Sequence, residues 1–359
     1  MNYGKILIAA AVVSLLGAGC RTADESEKRF TRFFCWAAPK DEVNAAKFVE
    51  AGVTDLLVNN KKQYDLAKKY GMTPYWKCFT PAGPHMQVMT PEEQKYQAYI
   101  SGKDLDRKMP RAERSRILHK RKIEKQHRYG GEMVAEIDVL SKNLPCFVSD
   151  DELRFSRKKL DALIDSAPAD SAGICLDFIG YANHKGCYCA PCLAKYRKFL
   201  AERSLADTPE NKVIFYREKI VEYYDGIIGY IKSKRPGYKI VLHIYPDFKA
   251  DPLYGNRIKA EIVGQTVAWY FKWDLEKIKK YTRFTVNHAR DHHAISEGIP
   301  FLGLNTDKTS SLGFKTPADV ERELQTILDA GGRTLMVCCG MTIIEKGYLE
   351  VFKKYCGKK

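Results

Sequence analysis

Gly173-Ile174-Cys175-Leu176-Asp177-Phe178 is a short run that is apolar throughout except for one carboxylate near its end. An amphipathic helix would space its apolar residues by three and four, and a half-exposed strand would alternate them with polar ones. This run does neither. It reads as a strand buried on both faces, as parallel strands are. Working outward, seven more runs of the same kind occur. Arg32–Ala37, Thr54–Asn59 and Thr73–Phe79 precede it; Lys239–Tyr245, Gln265–Phe271, Ile299–Asn305 and Thr334–Cys339 follow it.

Helical stretches separate these runs. Asp41 caps Glu42–Ala51, and Lys61–Tyr70 stops before Gly71. Further helices are expected over Pro191–Arg203, Pro209–Lys234, Asp274–His288, Thr316–Ala330 and Thr342–Tyr355. Thr316-Pro317-Ala318-Asp319 is a helix start, with a Thr cap, Pro in the first turn and an acid nearby. Eight strands alternating with helices predict a (β/α)8 TIM barrel; an open doubly wound sheet is the alternative. No G-x-G-x-x-G or P-loop is present, which removes the usual nucleotide-binding version of that alternative and any call for an organic cofactor. One connection is too long for the pattern. Residues 80–172 read as an insertion after the third strand, and Lys103–Arg128 within it holds eleven Lys or Arg against four Asp or Glu.

The chain has 359 residues, 45% hydrophobic and 29% charged, which suits one folded barrel and excludes a disordered or multi-span membrane chain. Lys and Arg outnumber Asp and Glu by 59 to 44, so the formal charge of +15 favours an anionic partner such as an acidic glycan or an envelope surface. Basic residues interleaved with aromatics, as in nucleic-acid binders, are not found, so nucleic acid is not an expected partner.

Met1–Cys20 (MNYGKILIAAAVVSLLGAGC) has a basic start, an apolar centre and small residues before Cys20, the pattern of an export signal. The end of it resembles the bacterial lipoprotein box, although Leu16 stands one place further from Cys20 than usual. The resemblance implies acylation of Cys20 and a lipid anchor in the cell envelope. The expected organisation is a leader over 1–19, a tether over 20–29 and a single barrel over 30–359.

Barrel enzymes keep their chemistry at the C-terminal strand ends. Those ends hold Trp36, Asn59, Lys77, Asp177, His243, Tyr245, Asp247, Trp269 and Asn305, with Asp307 just beyond. Aromatic rings stack on the apolar faces of sugars, while amides and carboxylates bind hydroxyls, so the set predicts a carbohydrate substrate. Asp177 is costly to bury without a partner or a task. It is the expected acid/base residue, or a structural group bonded to Lys77. Glycoside hydrolysis needs a second carboxylate; Asp307, Asp247 and Glu345 are candidates, and Asp307 is preferred.

Cys187-Tyr188-Cys189-Ala190-Pro191-Cys192 places three thiols in one tight turn, and Cys146 stands upstream in Cys146-Phe147-Val148-Ser149. The four suit a structural zinc site or, in an oxidising compartment, disulfides. The arrangement resembles that of glycoside hydrolase family 42, TIM-barrel β-galactosidases in which a C-Y-C-x-x-C after the fourth strand and an earlier C-x-x-S cysteine hold structural zinc. That family has Asn-Glu on the fourth strand, where Leu176-Asp177 stands here, and a Glu after the seventh, where Asn305-Thr306-Asp307 stands here. The resemblance therefore implies the barrel and the metal site but not β-galactosidase activity. Gly173–Ile179 is also similar to the G-I-x-x-D-Y-I run of the glycosyl-hydrolase-like family 10 barrels, which implies an exported enzyme acting on envelope glycan. Cys338-Cys339 reads as strand core.

Overall fold

The computed structural model describes residues 29–79, 83–124, 126–129, 132–135, 139–140, 143–244, 254–268, 274–292, 297–304 and 315–357. In chain order the strands are β1 (Arg32–Cys35), β2 (Asp55–Val58), β3 (Thr73–Phe79), β4 (Gln126–Tyr129), β5 (Glu132–Ala135), β6 (Gly173–Ile179), β7 (Lys239–Ile244), β8 (Ile262–Ala268), β9 (Glu297–Gly303) and β10 (Thr334–Cys338). The helices are α1 (Glu42–Glu50), α2 (Lys61–Lys69), α3 (Pro91–Ser101), α4 (Arg111–Glu124), α5 (Asp150–Ser166), α6 (Ala190–Glu202), α7 (Pro209–Lys234), α8 (Leu275–His292), α9 (Pro317–Asp329), α10 (Gly340–Glu345) and α11 (Leu349–Cys356). Eight strands form a closed barrel in the order β1-β2-β3-β6-β7-β8-β9-β10, and β10 pairs back onto β1. Every neighbouring pair in it is parallel. The fold is a (β/α)8 TIM barrel.

Successive strand residues face opposite sides. Phe34, Leu57, Tyr75, Cys175, Val241, Ile262, Ile299 and Met336 pack together inside the barrel. Their neighbours Phe33, Leu56, Trp76, Ile174, Leu242, Val263 and Leu335 pack outward under the helices. Both faces are apolar, which is why the runs do not alternate in the sequence.

Most elements lie where the sequence places them, within two residues. One strand is displaced. The aromatic run suggests Gln265–Phe271, yet the strand is Ile262–Ala268. Gly264 makes Ile262-Val263 look like the end of a loop. It is needed there because a Cβ would press on the Leu242 carbonyl and the Met336 sulfur, each at 3.0 Å. The final helix is also two, α10 and α11, separated by Gly347 with φ of +81°. Between β3 and β6 lie α3, α4, the antiparallel β4–β5 pair and α5. Ser156 on α5 bonds the Tyr223 hydroxyl on α7 at 2.7 Å, in the ring of helices around the barrel. Among the described residues no helix is long and apolar enough to cross a membrane.

The N-terminal end of the barrel is closed by an ion pair. Arg32 grips Asp55 with Nη2 at 2.8 Å and Nε at 3.0 Å, and Nη2 also donates to the Tyr75 hydroxyl at 3.0 Å. Asp55 is buried there, and among the described residues Arg32 is the cation it pairs with. Replacing Asp55 by Ala leaves the guanidinium only its longer contact with Glu297 at 3.4 Å and the Tyr75 hydroxyl, and should cost about 3 kcal/mol. Urea denaturation checks this; a loss below about 1 kcal/mol would mean the pair acts like an exposed one.

Candidate active site

Two residues beyond the apolar layer, on the same inward face, stand Trp36 after β1, Lys77 on β3, Asp177 on β6, His243 on β7, Phe301 on β9 and Cys338 on β10. The floor of the barrel mouth is built from them. Asp177 and His243 are buried, and His243 Nδ1 lies 2.8 Å from Asp177 Oδ1. The pairing of β6 with β7 slips between Leu176 and Ile179, so Asp177 sits at a bulge. Bulges of this kind re-aim a side chain beside active sites.

The imidazole is held on one face and at one edge. Its ring stacks on Phe301 at 3.9 Å and 28°, and Trp36 meets it edge-on at 4.9 Å and 68°. Lys77 Nζ lies 4.9 Å above the Trp36 ring. Trp36 Nε1 is buried, and among the described residues nothing accepts its hydrogen. A buried donor left this way costs free energy that a ligand oxygen would recover. Burial and then the Asp177 carboxylate push the Cys78 thiol up to about 12, so it remains a neutral neighbour.

The sequence brings four of its candidates to this floor: Trp36, Lys77, Asp177 and His243. Asn59 is exposed at the end of β2 and is bonded through its amide to Gln63 at the start of α2. Tyr245, Asp247, Trp269, Asn305, Asp307 and Cys20 lie outside the described residues. Glu345 is no second carboxylate for this floor: it is exposed and pairs with Lys40 at 3.2 Å. Phe301 and Cys338 are additions. Both belong to wholly apolar runs, where nothing in the sequence tells which residues look inward.

Cys146, Cys187, Cys189 and Cys192 converge beside the β6 end. Their sulfur atoms all lie within 4.8 Å of one another. Cys146 is 3.5 Å from Cys192, 3.7 Å from Cys189 and 3.9 Å from Cys187. These are not bonded distances, and all four are free thiols. A metal–sulfur bond of about 2.3 Å sets a tetrahedron edge of about 3.8 Å, so the cluster has the dimensions of a four-thiolate site. Bonding to the other cysteines, and then burial, raises the pKa of Cys146 and Cys192. Cys189 accepts such bonds, Cys146's first, and is lowered. The Val88 amide donates to the Cys187 sulfur at 3.3 Å, so the cluster ties the segment after β3 to that after β6.

No family model matches the chain, and no curated protein does. Solved structures do match in fold. The chain is similar to a polyextremophilic β-galactosidase from the Antarctic haloarchaeon Halorubrum lacusprofundi (12% identity, TM-score 0.52, 86% of this chain and 52% of that one). It is similar to α-L-fucosidase isoenzyme 2 from Paenibacillus thiaminolyticus (13%, 0.51, 91% and 48%). It is also similar to the PgaB (BpsB) glycoside hydrolase domain from Bordetella bronchiseptica (9%, 0.51, 93% and 91%). The chain thus spans about half the length of the first two and most of the third. What the chain shares with these glycosidases is the TIM-barrel fold.

The cysteine geometry predicts one thiophilic divalent ion per chain. At an ion concentration of about 1,000 Kd, binding only to the folded state adds about 4 kcal/mol. Elemental analysis with thermal unfolding checks this: Cys187→Ser should lose the ion and melt lower, and equal midpoints with and without metal would refute a structural role.

Proposed function

We propose that the protein is an exported, lipid-anchored glycoside hydrolase whose acid/base residue is Asp177. The observation that carries the reading is the buried Asp177–His243 hydrogen bond at the C-terminal mouth of the barrel, the end that holds the chemistry in barrel enzymes. In this reading His243 fixes the plane of the Asp177 carboxyl group. Trp36 offers its ring and its N–H to a sugar, and Lys77 favours an acidic one. Asp307, on the segment after β9, would supply the second carboxylate, at about 5–5.5 Å for retention or about 6.5–9.5 Å for inversion.

Zinc is the ion proposed for the cysteine cluster. A site closed by four thiolates has no open position for substrate, so zinc would brace the β6–α6 connection and take no part in turnover. The apolar leader and Cys20 support export and acylation. A Cys20→Ser chain that still partitions with membranes would remove the anchor from this proposal.

A second reading is a glycan-binding barrel without turnover. The complete burial of Asp177 favours it, because a catalytic group must reach its substrate. One experiment separates the two. Protein from Thr22 onward is incubated with a panel of acidic polysaccharides and peptidoglycan strands, with Asp177→Asn beside it. Loss of an acid/base group lowers the rate by about 10²–10⁴-fold, so turnover that collapses in Asp177→Asn supports hydrolysis. Turnover that survives it removes Asp177 from the chemistry, and saturable binding with no product from either protein establishes the second reading.

A further inference from the structure

Two adjacent thiols complete the rim of the same floor. Cys338 ends β10 and faces into the barrel beside Trp36, and Cys339 follows it, partly exposed. Their sulfur atoms are 3.2 Å apart, closer than the contacts Cys146 makes in the four-cysteine cluster. The backbone around them is interlocked with the residue whose ring faces the site. The Trp36 amide donates to the Val337 carbonyl at 2.8 Å, the Gly340 amide donates to the Trp36 carbonyl at 2.5 Å, and the Leu304 amide donates to the Cys338 carbonyl at 2.8 Å. Cys339 also caps α10 without spending its side chain on the helix. It is the one of the pair that solvent reaches.

We propose that Cys338 and Cys339 are a redox-modification site, closed to a vicinal disulfide by exchange with a soluble disulfide and reopened by thiols. The Cys339 thiolate attacks one sulfur of the incoming disulfide and expels a thiolate, leaving a mixed disulfide. The Cys338 thiolate then attacks the Cys339 sulfur and expels the second thiolate. Two cysteine protons leave, the protein is oxidised by two electrons, and one small disulfide becomes two thiols. Ordinary disulfides span about 4.4–6.8 Å between Cα atoms, which neighbours in sequence cannot reach, since consecutive Cα atoms lie no more than about 3.8 Å apart. Such a ring is strained, and strained disulfides are the reducible, regulatory ones. Closing it would stiffen the end of β10 against the Trp36 backbone and replace two polar S–H groups by an apolar S–S edge beneath the sugar-facing ring. The disulfide itself does not depend on the hydrolase reading.

The test uses the sequence around the pair. Trypsin cuts after Arg333 and Lys346, so Thr334–Lys346 carries Cys338 and Cys339 and no other cysteine, whereas Cys35 lies in Phe33–Lys40. The full-length protein is equilibrated in buffers of graded oxidised to reduced glutathione, quenched with acid, alkylated and digested. The expected result is a Thr334–Lys346 peptide two hydrogens lighter and free of alkyl groups in oxidising buffer, reverting to a doubly alkylated form in reducing buffer. Cys35→Ser should leave this titration unchanged, and Cys339→Ser should abolish it. Tryptophan emission should follow the same titration and lose that response in Trp36→Phe. A peptide that stays doubly alkylated or doubly glutathionylated across the range overturns the proposal. So does one cross-linked to Phe33–Lys40, which would assign the oxidation to Cys35. Because the readout is mass, failure of the glycan screen leaves this result intact, and the reverse also holds.

Discussion

Closing eight parallel strands on themselves creates one inner face that water cannot fill. Every side chain on it must pack, pair or act. The middle of this barrel packs, with Phe34, Tyr75, Val241, Ile299 and Met336 in apolar layers. Its two ends each bury a carboxylate, and they settle it differently. At the N-terminal end the Arg32 guanidinium meets both oxygens of Asp55. At the C-terminal end Asp177 has one oxygen against the Nδ1 of an imidazole. A guanidinium is always charged and locks a carboxylate, while an imidazole changes charge in the physiological range and both gives and takes protons. The first arrangement serves stability, and the second is the one that suits chemistry.

The same constraint explains how much of the protein is legible in its sequence. Strands buried on both faces write themselves as uninterrupted apolar runs, and helices between them are punctuated by caps such as Asp41 and Thr316. The order of the eight barrel strands therefore follows from the sequence, while the elements between β3 and β6 do not. What does not follow is which residue of an all-apolar run looks inward. Phe301 beneath His243 and Cys338 at the rim were invisible for that reason, whereas a polar residue in such a run, like Asp177 or His243, announces itself. Gly264 misled in the opposite sense, because a residue absent for want of space looks like a residue chosen for a turn. Glu345 fell near the eighth strand end in sequence, but α10 carries it out to Lys40 on the surface.

Cysteine usage divides along the same line between outside and inside. Cys146, Cys187, Cys189 and Cys192 come from two segments outside the barrel wall and are legible as a cluster because three of them share one turn. Cys338 and Cys339 look like ordinary core residues, and only the closed barrel puts one of them at the mouth and its neighbour at the solvent edge. Their meaning depends on topology that the local sequence does not carry.

The half of the mouth around β3 and β6 is held from behind by polar groups, and this bears directly on Asp177. Glu152 on α5 accepts from the amides of Gly83 and His85 just past β3, at 2.5 and 2.9 Å. Gln87 spans three backbone groups, accepting from the Ala182 amide at 2.8 Å and donating to the carbonyls of Pro145 and Gly180 at 3.0 and 3.3 Å. Tyr188 donates its amide to the Val88 carbonyl at 2.7 Å, and Tyr216 fixes the Cys187 carbonyl at 2.7 Å. The segments that follow β3 and β6 are thereby sewn to each other independently of the cysteine cluster. A bulged strand is locally underpaired, so its carboxylate keeps one orientation only if the chain on its far side is fixed. These bonds fix it, and His243 holds one Asp177 oxygen with Phe301 stacked on its ring and Trp36 beside its edge.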